Sequence, residues 1–344
     1  MDRVTDRQAP DAARLEPWLE ANIAGYGGPL AIARFQGGQS NPTFRLTTPG
    51  ATYVLRRKPA GEVLPSAHAV DREFRVLRAL HGTEVPVARP LALCTDPDVI
   101  GSIFYVMEYV DGRIFWQQSL PDLVPAERGA IYDAMGATIA ALHRLDWQAL
   151  GLADYGRPGN YLARQVARWT KQYRASETEP IEAMDRLIEW LPARIPTRET
   201  PALVHGDFRI DNLIFHPAEP RVIAVLDWEL STLGDALGDF GYHVMSWRIS
   251  PGEFRGIGGL DLPALGIPTE AEYVAAYCRR TGQSFPVADW DVYIVFGMFR
   301  IAAILQGVLK RGLVGSASSA RAVEQGGRAR LVARQAWELA RRLG

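Results

Sequence analysis

Apolar and polar positions in the first 110 residues alternate in short runs that predict a small sheet. A leading helix is predicted over residues 11–24, because Leu15, Leu19 and Ile23 recur at helical spacing. The apolar period then changes to two, which is typical of half-buried strands. Five runs have this character: Ala31–Phe35, Thr43–Thr47, Thr52–Arg57, Arg89–Leu93 and Ser102–Val110. A second helix, over Ser66–His81, is predicted between the third and fourth runs.

From residue 111 onward the pattern is mainly helical. Helices are predicted at Pro125–Leu145, Tyr161–Tyr173, Ile181–Leu191, Asp239–Trp247, Asp289–Lys310 and Ser318–Leu343. Asp289–Lys310 is apolar nearly all round, which indicates a buried central helix. Apolar runs at Leu203–His205, Leu213–His216 and Val222–Leu226 interrupt the helices and predict a hairpin-like β unit. A small β part followed by a larger helical part predicts the α+β class.

Composition and charge exclude some classes of binding partner, but they do not indicate which reaction, if any, the protein catalyses. The chain has 344 residues, enough for about two domains. Its 38 Lys and Arg balance 39 Asp and Glu, so we expect no nucleic-acid partner, which would require surplus positive charge. No uninterrupted apolar run reaches the ~18 residues that a spanning helix needs, so no membrane partner and a cytoplasmic location are expected. Two distant cysteines exclude a disulfide framework and a Cys-rich zinc site.

The segment Leu203–Phe215 contains the strongest chemical signal. A polar loop between two apolar runs carries Asp207 and Asn212, and the apolar run at 222–226 ends in Asp227. A hairpin-like unit would bring these three side chains to one end. Two carboxylates and an amide oxygen form the hard, oxygen-rich site that Mg²⁺ prefers. There is no P-loop, HExxH or GxSxG motif to indicate another chemistry.

The pattern HGDxxxxN at 205–212, followed by a strand-terminal Asp-Trp-Glu at 227–229, resembles the aminoglycoside-phosphotransferase-like, protein-kinase-like superfamily. The resemblance implies a bilobal fold, with a small antiparallel β lobe at 1–110 that binds nucleotide. A larger helical lobe at 111–344 would carry catalysis and the acceptor. It also implies ATP and Mg²⁺ as cofactors and a phosphotransferase with an alcohol acceptor.

The resemblance gives each residue of the catalytic loop a role. Asp207 resembles the base that accepts the substrate hydroxyl proton, and Asn212 and Asp227 resemble the Mg²⁺ ligands. Arg209 would neutralise charge on the transferring phosphoryl group. His205 resembles the residue that braces the loop, and Asp239 resembles the helix aspartate that holds the loop from behind.

The N-terminal part carries the matching nucleotide-binding pattern. Residues 36–41 resemble the loop over the nucleotide phosphates, with four predicted contacts there: Gly37, Gly38, Ser40 and Asn41. Arg56 stands at the position of the usual phosphate-binding lysine, where Arg57 or Lys58 is the alternative, and Glu73 is its predicted ion-pair partner. The segment before Asp111 resembles the hinge, whose backbone at Glu108 and Val110 would bond the adenine.

Longer segments, among them LPSAHAVDREFRVLRAL at 64–80 and LDWELSTLGDALGDFGYH at 226–243, resemble one branch of the superfamily. That branch is related to the kinase domain fused to some acyl-CoA dehydrogenases. It implies a 4-hydroxyacyl-CoA acceptor and joint action with an acyl-CoA dehydrogenase. A basic stretch also favours an anionic acceptor: Arg157, Arg164, Arg168, Lys171 and Arg174.

Several side chains of the helical part are predicted to lie near the acceptor: Tyr161, Trp169, Tyr173, Trp228, Tyr242, His243 and Trp247. Core packing explains most of them equally well. Two alternatives to the acyl-CoA acceptor stay open. One is a kinase for an aminoglycoside, choline-like, sugar or homoserine acceptor. The other is a nucleotide-binding pseudokinase, suggested by Arg56 and by the missing glycine after Asp227.

Overall fold

The N-terminal unit, Met1–Asp111, is built around a five-stranded antiparallel sheet. The computed structural model describes residues 9–35, 41–59, 69–315 and 321–344. The strands lie in the order β1-β2-β3-β5-β4. Their bounds are Ala31–Arg34 (β1), Thr43–Thr47 (β2), Thr52–Arg57 (β3), Pro90–Cys94 (β4) and Phe104–Glu108 (β5). All five predicted strands are therefore present.

Alternation along β2 shows why this sheet forms. Phe44 and Leu46 are buried whereas Arg45 between them is exposed, so the period of two places one face in the core. The leading helix α1, Ala12–Asn22, packs Leu15 and Leu19 into the same apolar cluster. Helix α2, Val70–Leu80, follows β3 and contacts β4 and β5.

The C-terminal unit, Gly112–Gly344, is mainly helical. Its helices are Pro125–Arg144 (α3), Tyr161–Ser176 (α4), Glu182–Arg194 (α5), Ala236–Val244 (α6), Leu262–Leu265 (α7), Glu270–Thr281 (α8), Trp290–Leu313 (α9), Ala322–Gly326 (α10) and Ala329–Ala340 (α11). Helix α9 is central, since α4, α6, α10 and α11 all pack against it. It is the one described helix long and apolar enough to cross a bilayer, yet 89% of its apolar window is buried inside the protein. The prediction of a buried central helix is confirmed.

Two small antiparallel sheets carry the polar loops of this unit, and here the predicted single hairpin-like unit is wrong. Strand β7, Leu213–Phe215, pairs with β8, Val222–Val225, as expected. Strand β6, Pro201–Val204, instead pairs with β9, Thr232–Asp235. The sequence gives no strand signal at β9, because its four residues include a Gly-Asp pair that is typical of turns.

The final predicted helix is interrupted, forming α10 and α11. The break follows Gly326, where an added Cβ would lie 2.4 Å from the Leu309 backbone nitrogen. This glycine therefore allows α10 to contact the backbone of α9 directly.

Candidate active site

The turn after β6 fixes the backbone of the candidate catalytic loop at 205–207. Gly206 has φ +83°, and a Cβ there would lie 2.7 Å from the carbonyl oxygen of Leu230. Only glycine combines this left-handed conformation with so close a neighbour. The glycine of the HGD motif is therefore required by the local geometry.

Asp207 presents a carboxylate whose two oxygens are both held. The Tyr242 hydroxyl donates to Oδ1 at 2.7 Å, and the Asn212 side-chain amide lies 3.2 Å from Oδ2. The Asp207 side chain is 18% exposed, so a substrate atom can still approach it. A fixed, ionisable and accessible carboxylate has the properties that a general base requires.

Arg209 lies between two carboxylates. Its Nε is 3.2 Å from Asp207 Oδ1, and one terminal nitrogen is 3.4 Å from Asp211 Oδ2. Burial alone would lower the pKa of this guanidinium, but Asp207 and Asp211 outweigh burial and raise it. Arg255 also donates to Asp211, so two guanidinium groups share that carboxylate. Arg209 thus keeps its positive charge directly beside the candidate base.

His205 joins the two polar loops. Its Nδ1 accepts a hydrogen bond from the Asp207 backbone N–H at 3.1 Å, so Nε2 carries the proton. That Nε2 donates to the carbonyl oxygen of Leu226 at 2.8 Å, directly before Asp227. The ring is fully buried. These contacts match the bracing role that the resemblance implies.

Asp239 holds the loop through its backbone. Its carboxylate accepts hydrogen bonds from the N–H groups of His205 and Gly206, both at 2.8 Å. His143 Nε2 lies 3.2 Å from the same carboxylate. Burial alone would raise the pKa of Asp239, but the hydrogen bonds and charge of His143, with His205, lower it to about 2.

Asn212 and Asp227 lie at the same end of the β7–β8 hairpin, one directly before β7 and the other two residues after β8. The Leu226 N–H donates to the Asn212 carbonyl at 2.8 Å, which continues the ladder toward Asp227. The amide nitrogen of Asn212 bonds Asp207, so its amide oxygen is the atom that could bind a metal. Asp227 itself has a left-handed backbone, with φ +65°. Among the described residues no group of three or more His, Cys, Asp or Glu side chains is placed to hold a metal ion.

In the N-terminal unit, polar side chains converge on Glu73. Arg56 Nε lies 2.8 Å from Glu73 Oε2, which is the predicted ion pair. Asn41 donates to Oε1 at 2.6 Å, and the Tyr105 hydroxyl donates to Oε2 at 3.1 Å. Asn41 is only 2% exposed, so its side chain positions Glu73 within the unit.

The other predicted nucleotide contacts have different outcomes. Gly37, Gly38 and Ser40 lie outside the described residues. Arg57, the alternative to Arg56, is buried and directed toward Ser102. The Glu108 backbone N–H already donates to the carbonyl of Arg89, so an adenine bond there would have to use the Glu108 carbonyl or Val110.

The predicted acceptor residues are mostly core side chains. All seven aromatic and histidine candidates in this set are buried, and among them only Tyr242 bonds the Asp207 carboxylate. In the basic stretch, Arg174 pairs with Glu177 and Asp185, and Arg164 bonds backbone carbonyls at the start of α4. Among the described residues no salt bridge involves Arg168 or Lys171, and both side chains are exposed.

Sequence reasoning missed two features that the structure adds. The sequence predicts that Tyr242 lies near an acceptor but indicates no contact with Asp207, and it indicates no role for Arg300 of α9. Arg300 lies within an apolar helix, so the hydrophobic pattern does not single it out. A lone arginine in such a helix is nevertheless unusual and is the one sequence signal that could have indicated a role.

Comparison with known proteins gives matches over most of the chain. The profile of the phosphotransferase enzyme family matches residues 31–293. A crystal structure of a provisionally assigned aminoglycoside phosphotransferase from Ralstonia eutropha is 57% identical and covers 97% of this chain and 99% of that protein, with a TM-score of 0.87.

Acyl-CoA dehydrogenase family member 10 of Mus musculus is 48% identical over 96% of this chain. The chain spans only 31% of the length of that relative. A choline kinase from Cryptosporidium parvum has a TM-score of 0.65 at 12% identity, covering 97% of this chain and 96% of that one. At that identity the likeness concerns the fold alone. With these neighbours, the predicted protein-kinase-like fold is confirmed.

Proposed function

Because the chain belongs to the phosphotransferase enzyme family, we propose that it moves the γ-phosphoryl group of ATP to the hydroxyl of a small molecule. The membership confirms the predicted enzyme class, a small-molecule phosphotransferase. The observation that carries the proposed mechanism is the Asp207 carboxylate, which is held at both oxygens beside Asn212 and remains partly exposed. Asp207 would orient the acceptor hydroxyl and accept its proton.

The residues present fit a magnesium ion. The amide oxygen of Asn212 and the carboxylate of Asp227 are hard oxygen donors at the same end of one hairpin. Mg²⁺ in phosphotransferases is commonly held by one or two protein groups, with water and substrate phosphates completing the shell. A bound Mg²⁺ would neutralise charge on the nucleotide phosphates. The chain's own contribution is to hold the two oxygen donors and to keep Arg209 charged beside Asp207.

For the acceptor we propose a hydroxyacyl-CoA of the 4-hydroxyacyl type. Support comes from the relatives named acyl-CoA dehydrogenase family members, which match this chain over part of their length. Arg168 and Lys171 on α4 add positive charge suited to the phosphates of a CoA carrier. In a cell, such an acceptor would make an acyl-CoA dehydrogenase the functional partner.

An aminoglycoside acceptor is the second candidate. It is favoured by the Ralstonia eutropha protein, which is provisionally assigned as an aminoglycoside phosphotransferase and is 57% identical to this chain. The two candidates differ in charge, because an aminoglycoside is polycationic and a CoA thioester is anionic. The basic side chains on α4 favour the anionic acceptor.

The test is incubation with MgATP and a panel of hydroxyacyl-CoAs beside aminoglycosides, read as a phosphoryl mass gain on the acceptor. We expect the gain on a hydroxyacyl-CoA. Gain on an aminoglycoside alone would reject the acyl-CoA proposal, and the absence of any transfer or ATP hydrolysis with Mg²⁺ would support a pseudokinase.

Two variants test the assigned roles. Asp207→Ala should abolish turnover and leave MgATP binding largely intact, because the base contacts the acceptor hydroxyl. Asp227→Ala should lose the metal-dependent part of nucleotide binding, measured by calorimetry with and without Mg²⁺. Asp133→Ala, an exposed carboxylate on α3, is a matched control that should change neither property.

A further inference from the structure

Tyr242 makes a contact that the family motif does not include. It lies on α6, three residues after Asp239, so both side chains point to the same face of the helix. Asp239 accepts hydrogen bonds from the loop backbone at His205 and Gly206. Tyr242 is 1% exposed and donates from its hydroxyl to Asp207 Oδ1 at 2.7 Å. One helix face therefore holds three successive residues of the loop.

Arg300 on α9 completes this arrangement. Its guanidinium carbon lies 4.7 Å from the centroid of the Tyr242 ring and 5.3 Å from that of Trp169. One terminal nitrogen donates to the carbonyl oxygen of Gly206, while Nε and the other terminal nitrogen have no hydrogen-bond partner among the residues described. Arg300 is 2% exposed and forms no ion pair within the part of the chain that the structure describes.

A buried cation without a carboxylate partner is strongly disfavoured unless other groups compensate it. Here the compensation comes from two aromatic faces and one loop carbonyl. Because Tyr242 is one of those faces, the cation restricts the tilt of its ring and so the position of its hydroxyl. The side chain that holds Asp207 is itself held by Arg300.

We propose that Tyr242 and Arg300 are positioning residues that fix the rotamer of the Asp207 carboxylate. This inference rests on the proposed function, in which Asp207 is the base. Oδ1 accepts from the phenol at 2.7 Å and lies 3.2 Å from Arg209 Nε, whereas Oδ2 has one bond among the described residues, from Asn212 at 3.2 Å. We therefore assign Oδ2 as the oxygen that receives the acceptor proton. During transfer the acceptor oxygen bonds the γ-phosphorus, the bond to the bridging oxygen of ADP breaks, and the hydroxyl proton passes to Oδ2.

The direct test is Tyr242→Phe, which removes one oxygen and keeps the ring against Arg300. A hydrogen bond to a charged group changes a rate by roughly 10- to 100-fold when lost. We therefore expect kcat to fall by about that factor, with the KM for MgATP changing less than about two-fold. Loss of packing alone would not produce this separation of kcat from KM.

Tyr132→Phe is the matched control. Tyr132 is also fully buried, and its hydroxyl also makes one 2.7 Å hydrogen bond, to the carbonyl of Gln118. We expect Tyr132→Phe to lose about as much thermal stability as Tyr242→Phe and to keep the parental kcat. An equal fall of kcat in both variants would show a general packing effect and would overturn the proposal.

Arg300→Lys tests the role of Arg300, because lysine keeps the positive charge but lacks the planar guanidinium group. It should lower kcat in the parent and have a clearly smaller effect in the Tyr242→Phe background, where there is no hydroxyl left to position. Full additivity of the two substitutions would overturn the role of Arg300.

The outcomes separate this inference from the proposed function. If the parent transfers phosphate and Tyr242→Phe retains its kcat within two-fold, the positioning role is wrong and the proposed function stands. If the parent neither transfers phosphate nor hydrolyses ATP, the proposed function is wrong and the inference is lost with it.

Discussion

Replacing Asp239 by Asn should release the catalytic loop, since Asp239 is the only side chain described that accepts from the backbone N–H groups of both His205 and Gly206. The fall of its pKa from 3.8 to about 2 corresponds to about 2–3 kcal/mol of folding stability. Because the folded pKa is the lower one, this stability is present above about pH 4 and is lost as pH falls through about 2.

Asparagine removes that charge and turns one acceptor oxygen into a donor that faces a backbone N–H. An unpaired buried donor costs about 1–3 kcal/mol more. The expected loss for Asp239→Asn is therefore about 3–6 kcal/mol in the free energy of unfolding at pH 7, with a large fall in kcat.

Urea unfolding at pH 7 measures this loss. The control is Asp133→Asn, whose carboxylate is 66% exposed and pairs with Arg280 at 2.6 Å. A surface pair of this kind should contribute less than about 1 kcal/mol. If Asp239→Asn unfolds within about 1 kcal/mol of the parent, the carboxylate does not hold the loop and the reasoning fails.

Three further perturbations follow from the same contacts. Glu73→Gln removes the charge that Arg56 pairs with, and should raise the KM for MgATP about ten-fold or more in steady-state kinetics. Burial lowers the pKa of His243 from 6.5 to about 4, so the ring is neutral in the folded protein at pH 5 but largely protonated in the unfolded chain. Acidification from pH 7 to 5 should therefore destabilise the parent by about 2 kcal/mol more than His243→Gln, measured by chemical unfolding at both pH values. Gly206→Ala places a Cβ against the carbonyl of Leu230 at a left-handed φ, and should lower the melting temperature and abolish turnover.

For each of these three predictions, a specific result would contradict the reasoning. An unchanged KM for MgATP in Glu73→Gln would remove the ion pair from nucleotide binding. Parallel pH profiles of stability for the parent and His243→Gln would show that this ring titrates alike in both states. A fully active Gly206→Ala would mean that the loop tolerates a conformation other than the one observed.

The catalytic loop and the metal-binding residues could be predicted from the sequence because they belong to short motifs of residues close together in the chain. The motif spacing indicates that Asp207, Asn212 and Asp227 share one site, and strand periodicity predicts the β7–β8 hairpin that Asn212 and Asp227 flank. The pairing of Arg56 with Glu73 follows similarly from the strand and helix that carry them. These contacts depend on short-range geometry and on a motif.

The remaining contacts depend on packing between distant segments. Strand β9 is held as a strand by its pairing with β6, which overrides the turn-like Gly-Asp signal in its own four residues. Arg300 reaches the loop carbonyl from a helix 94 positions away in the chain, and neither periodicity nor composition indicates which helix face meets which loop. Tyr242 illustrates the same limit, because its aromatic character fits a core position equally well.

The central claim is that Asp207 promotes phosphoryl transfer to a hydroxyl, and a labelled transfer assay tests it most directly. The parent and Asp207→Asn are incubated with Mg²⁺, ATP labelled at the γ-phosphate and a 4-hydroxyacyl-CoA, and label on the acyl-CoA is followed by mass spectrometry. The account predicts label on the product with the parent and a rate at least about 100-fold lower with the variant. Transfer by Asp207→Asn at the parental rate would contradict it.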